Sequence, residues 1–131
     1  MRKSILSVVM FCAFAAFASA DEVITKQPDG TYVVNTTTLC DVKGYKSPTP
    51  VEVYIKGGKV LKVEALPNKE TKSYFAKIVN GLLPKYVSLK VSKAKRQAKV
   101  QTVDVCTGAT FSCKAVQQNI MAALDYYEKN K

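Results

Sequence analysis

The stretch VEVYIKGGKVLKVEAL, residues 51–66, leaves the chain the least conformational freedom. Val51, Val53 and Ile55 alternate with polar neighbours, the period of a strand with one face in a core. Gly57-Gly58 then supplies two residues at ease with positive φ, as a two-residue hairpin turn requires, and Val60 and Val63 fall in the returning strand. A lone hairpin is marginal in water, so other segments must cover its apolar face. TYVVNTTTL, residues 31–39, is rich in β-branched residues and reads as a strand. Before it, DEVITKQPDG reads as a polar lead-in ending in a turn at Pro28-Asp29-Gly30; after it, GYKSPTP reads as a loop.

The period then changes. In ETKSYFAKIVNGLL, Phe75, Ile78, Val79 and Leu82 recur at i, i+3, i+4 and i+7, one face of a helix that Asn80-Gly81 and Pro84 end or kink. KVSKAKRQAK leaves its state open, one reading being a short basic helix capped by Ser92; VQTVDV returns to strand. A last helix begins near Ser112 or Cys113, with Val116, Ile120, Ala123, Leu124 and Tyr127 on one face. Its other side carries Lys114, Gln117, Gln118, Asp125 and Glu128. The expected class is α+β: an antiparallel sheet containing the hairpin, with a few helices packed on it, in a single small domain.

Residues 1–20 stand apart. A basic MRKS start, an apolar run ILSVVMFCAFAAF and a small-residue ASA ending make a secretory signal peptide, with cleavage expected after Ala20. No lipobox precedes Cys12. The expected mature domain is 21–131, with 18 Lys and Arg against 10 Asp and Glu, and an exported, periplasmic or cell-surface bacterial location. Its cysteines are Cys40, Cys106 and Cys113, an odd set that leaves at least one thiol outside any intrachain bridge. A Cys106–Cys113 bridge and three thiols both remain open. The chain has no His, which excludes a Ser-His-Asp triad, a Cys-His pair and the usual His-rich zinc sites; no metal is expected.

The polar turn before the last helix carries the chemistry. Asp104-Val105-Cys106-Thr107-Gly108-Ala109-Thr110 puts a hydroxyl almost at a helix start, where unpaired N–H groups favour an anion. This order of Asp, Thr, Gly, Ala and Thr resembles the small FMN-binding domain of the C and G subunits of sodium-pumping quinone reductase and Rnf complexes. Ser112, Cys113, Ala115 and Val116 continue the likeness, and Gly44-Tyr45, Gly58-Lys59-Val60 and Glu70-Thr71 match earlier landmarks. The resemblance runs over roughly residues 40–127. Two places depart from it: Val105 stands where Gly or Ser is usual, and Lys72-Ser73-Tyr74 where a Pro-Gly-x-Gly run is usual.

The resemblance implies FMN as cofactor, attached to Thr110 through a phosphoester by a separate flavin transferase. Gly108 and Ala109 would keep bulk away from the phosphate. Thr107 and Ser112 would donate hydrogen bonds to it, and Asp104 would brace the turn as part of the transferase signature. Several residues carry a plainer reading beside this one. Ser112 is explained equally by helix capping, Asp104 by an Asx-turn, and Tyr45 by packing on the hairpin rather than stacking on a flavin. Glu70 reads either as a cofactor-site residue or as a helix-start acid. Lys90, Lys93, Lys95, Arg96 and Lys99 form a solvated basic face, suited to steering an acidic redox partner rather than to nucleic acid. The implied function is a secreted electron-transfer flavoprotein working with redox partner proteins, whether soluble or membrane-bound. The alternatives are a catalytic domain or subunit of a larger extracytoplasmic flavin reductase, and a flavin-free scaffold or adhesion module.

Overall fold

The structure, a computed structural model, describes residues 23–100 and 110–131. Four antiparallel strands lie in the order β1-β2-β3-β4: β1 (Ile24–Lys26), β2 (Tyr32–Asn35), β3 (Val51–Lys56) and β4 (Lys59–Ala65). With three α-helices they form the α+β domain expected from the sequence. The polar lead-in holds a strand that its composition hid: Ile24 pairs with Val34 and Lys26 with Tyr32. The hairpin closes at the Lys56–Lys59 pair, with Gly57 and Gly58 at φ 61° and 78°, the left-handed values that favour glycine in this turn.

One irregularity explains why Val60 and Val63, three residues apart, both face inward. Tyr54 pairs with Lys62 but Ile55 with Val60, so Leu61 is the extra residue of a β-bulge. The bulge turns Leu61 out to solvent while Val60 and Val63 stay buried. Rows Val34–Val53–Val63 and Tyr32–Ile55–Val60 then line one face of the sheet. The opposite face is polar: the Tyr54 hydroxyl donates to Glu52, and the Lys62 ammonium lies 4.5 Å over the Tyr54 ring.

The helices cover the apolar face. Helix α1 (Lys72–Lys77) starts after Thr71 and buries Phe75. It does not run on as an α-helix. Ile78–Leu82 forms a π-helical turn and Leu83–Tyr86 a 3-10 turn around Pro84. The wider turn rotates the stripe: Ile78, Leu82 and Leu83 are buried while Val79, expected inside, is exposed. Helix α2 (Val91–Gln97) is headed by Lys90, so Ser92 lies within the helix instead of capping it. Helix α3 (Thr110–Asn130) packs across β2 and β3 through Val116, Ile120, Ala123, Leu124 and Tyr127. Tyr127 meets Tyr32 edge-to-face at 5.3 Å between centroids. Gln117, expected on the solvent side, is buried because its amide donates to the Val100 carbonyl at 2.8 Å. Lys95 leaves the basic face to pair with Asp125 at 2.7 Å and Glu128 at 2.8 Å on α3.

A buried polar contact fixes where α3 lies along the sheet. The Thr36 hydroxyl donates to Asn119 Oδ1 at 2.6 Å and accepts the Val51 N–H at 2.9 Å, and Asn119 Nδ2 donates to the Ala115 carbonyl. Both side chains are fully buried. Replacing Asn119 with Ala removes the acceptor and leaves a void, so we expect a loss of about 1–3 kcal/mol. Urea unfolding should show a lower midpoint with an unchanged slope.

Candidate functional site

The site begins with a carboxylate. Glu70 stands immediately before α1 and is 6% exposed. Its Oε1 accepts the Tyr45 N–H at 2.7 Å, and its Oε2 accepts the N–H groups of Lys46 and Ser47, each at 2.7 Å. Three successive backbone donors thus form a nest around an anion supplied by the protein itself. The Ser112 hydroxyl donates to Oε1 from the first turn of α3. The loop closes on itself as well, through Gly44 N–H to the Ser47 carbonyl at 2.8 Å and a bridge between Lys43 and Pro48. The Ser47 hydroxyl accepts the Lys69 N–H at 2.9 Å, and Asn68 Oδ1 the Glu70 N–H at 3.0 Å.

Glycine is required at position 44 by this closeness. A Cβ there would lie 2.6 Å from Glu70 Oε1 and 3.1 Å from Ser112 Cα. Burial alone pushes the Glu70 carboxyl up, but the Ser112 hydroxyl and the N–H groups of Tyr45, Lys46 and Ser47 outweigh it, and the net shift is downward. Glu70 therefore sits charged in the fold, with its charge met by dipoles rather than by a cation. The plainer expectation, a helix-start acid, is replaced by this role: the carboxylate points back to the 44–47 loop and across to α3.

Glu70 brings distant segments to one place. Tyr45, Glu70, Thr71, Tyr74, Thr110, Phe111 and Ser112 line a pocket of about 140 Å³. Four of the residues expected at the site from sequence, Tyr45, Glu70, Thr110 and Ser112, are therefore brought together. Asp104, Thr107, Gly108 and Ala109 lie outside the described residues, as do the segment 1–20 and all of the strand expected over 100–105 except Val100, which stands in a bend. Ser112 is placed differently from expectation. Helix α3 already begins at Thr110, so Ser112 is an interior residue, 4% exposed, and its single hydroxyl proton is committed to Glu70. Thr110 is exposed at the head of the 21-residue helix. Cys113, 1% exposed, is half of a disulfide whose other half lies outside the described residues, and Cys40 carries a free thiol.

Sequence reasoning met Thr71 only as a landmark and Tyr74 only in a departure from the resemblance, and passed over Phe111. A signal for Phe111 existed: it shares a helix face with Lys114 and Gln118, at i+3 and i+7, where an apolar ring serves no core. The pocket is smaller than the roughly 300–1,000 Å³ of sites that enclose a small molecule. It suits a ligand tethered at one end and largely outside.

Replacing Glu70 with Gln removes the charge-assisted acceptor and should lower stability at neutral pH by about 1.5–3 kcal/mol. The depressed carboxyl sets the pH dependence. Its contribution is complete above the ordinary value of 4.5 and is lost as pH falls through the lower folded value. Thermal unfolding from pH 7 down to pH 2 should show the variant and the parent converging in acid, with the difference constant above about pH 5.

Comparison with known proteins returned one family: the description of the FMN-binding domain matches residues 44–125. Neither the curated proteins nor the solved structures gave a match.

Proposed function

Since the chain belongs to the FMN-binding domain family and is on that ground a flavin-binding protein, we propose that it is an exported electron carrier with FMN bonded to Thr110. The observation that carries this reading is the placement of Thr110: exposed, first residue of the long helix α3, and lining a pocket of about 140 Å³. An exposed residue in that position is within reach of a second enzyme. The helix's first turn also offers a partial positive field to a phosphate. The residues present fit the group. Thr110 would hold its phosphate end, and the ring would lie over the pocket that Thr110 lines.

Attachment needs an activated donor. The Thr110 oxygen would bond to the FMN phosphorus as a phosphoanhydride bond of the donor breaks, the donor's other phosphate group leaving as a nucleoside monophosphate and the hydroxyl proton passing to a base on the transferase. Glu70 is no such base, because its oxygens are filled by donors from the 45–47 loop and Ser112. Its part is to hold the loop and the helix start in register. Once bound, the flavin supplies reversible one- and two-electron chemistry. The chain supplies no His for proton transfer and no Gly-x-Gly-x-x-Gly turn for a nicotinamide. Electrons would then come from one protein and leave to another, and a net charge of +10 over the chain favours acidic partners at range.

Protein exported from a host that contains a flavin transferase should gain the mass of one FMN residue on the peptide carrying Thr110, and Thr110→Ala should gain none. An unmodified parent, or an adduct that persists in the variant, removes covalent attachment from the reading. The flavin-loaded protein should also cycle with chemical mediators while oxidising NADH negligibly. Rapid, saturable NADH oxidation by the isolated chain would point to an enzyme instead.

A further inference from the structure

Three large aromatic side chains stand in solvent where the core gives them nothing to do: Tyr45 is 69% exposed, Tyr74 48% and Phe111 64%. One exposed ring is ordinary. These three come from separate segments, a loop, the first turn of α1 and the first turn of α3, and all line the pocket that contains Thr110. Convergence of that kind marks a binding surface rather than scatter.

Their backbones are held in place. Tyr45 donates its own N–H to Glu70, Tyr74 lies four residues beyond Glu70, and Phe111 adjoins Ser112, whose hydroxyl is on Glu70. The anchoring carboxylate thus fixes the backbone at Tyr45 and beside Phe111 before any ligand arrives, which lowers the ordering left to be done on binding. The Lys77 ammonium lies 5.6 Å from the centre of the Tyr74 ring, and the ring remains 48% exposed. Exposed aromatic faces recognise planar, conjugated rings by stacking, as they do nucleic-acid bases.

Resting on the flavin reading of this site, we infer that Tyr45, Tyr74 and Phe111 form an open aromatic clamp. It holds the isoalloxazine ring against the outer surface of the domain while the phosphate end is fixed at Thr110. The ring is gripped by its faces and not enclosed, since the cavity of about 140 Å³ cannot contain it. An edge of the ring stays in solvent, within reach of a docked partner.

Flavin fluorescence tests the clamp. A photoexcited flavin takes an electron from a nearby phenol and returns it, which quenches emission. With no Trp in the chain, tyrosines are the donors. Protein shown by mass to carry FMN should be dim against free FMN. Tyr74→Leu should brighten it several-fold, and adding Phe111→Leu should brighten it further and raise its accessibility to iodide. Emission is compared per bound flavin, and the unfolding midpoint should not change, because both side chains are exposed. Equal emission and iodide quenching in the parent and the double variant, at equal flavin content, overturns the clamp and leaves attachment standing.

If the parent carries no bonded flavin, the attachment reading has failed and the clamp is tested separately. FMN is titrated into the unmodified full chain. Quenched binding whose Kd rises about tenfold in the double variant supports the clamp; no saturable quenching, or the same Kd in both proteins, overturns it. Tyr74→Phe separates stacking from electron donation: the clamp requires brighter emission with affinity kept, and a loss of affinity equal to that of Tyr74→Leu counts against it.

Discussion

A carboxylate taken out of water with no cation beside it is strongly disfavoured unless something else meets its charge. At Glu70 that something is three consecutive backbone N–H groups and one hydroxyl, drawn from two parts of the chain far from it in sequence. The interaction is directional, and each donor arrives on a different constraint. The loop 44–47 must curl so that its N–H groups converge, Gly44 must carry no side chain, and α3 must begin early enough for Ser112 to face inward. The sheet and helices could pack by hydrophobic contact alone; the loop and the head of α3 could not find one another that way. The pocket exists because this carboxylate exists.

That arrangement separates two tasks that a flavin site must perform. In the reading proposed above, an exposed threonine at the helix head would hold the phosphate end and the aromatic side chains lining the pocket would hold the ring. Neither task needs a deep cavity, and a domain with a core as small as this one has no room for one beside its packed interior.

Much of the fold was legible because its signals are local. The alternation of Val51, Val53 and Ile55 and the Gly57-Gly58 turn need no information from elsewhere, and neither does the apolar stripe from Val116 to Tyr127. Where the sequence misled, two periods were compatible with the same residues. Phe75, Ile78 and Leu82 fit an α-helix as well as they fit a helix that widens into a π turn, and only Val79 registers the difference. Gln117 looked like a surface residue because its carbonyl partner at Val100 lies 17 positions away. At the site, the motif singled out Thr110 as a candidate, and its position at the pocket with Tyr45 and Glu70 is given by the fold. The role of Glu70 was not, because its donors lie up to 42 positions distant and backbone N–H groups leave no mark in a sequence. Tyr45, Tyr74 and Phe111 were equally scattered, so their gathering is a product of the fold.

The bulge at Leu61 has its effect at the border of the sheet. Beyond it, the outer side of β4 is taken by residues 88–91: Val60 donates to Leu89, Ser88 to Val60 and Val91 to Gly58. Ser88 reaches this position with φ at 70°, a conformation that non-glycine residues seldom adopt. The rest of that border carries Lys62 and Glu64, and the opposite border is a strand of only three residues ending in Lys26. Two molecules meeting edge to edge would find short, charged or already bonded backbone on either side. In a crowded compartment the domain can therefore leave aromatic surface exposed at one end without its strands templating fibrils or sheet-to-sheet clumps.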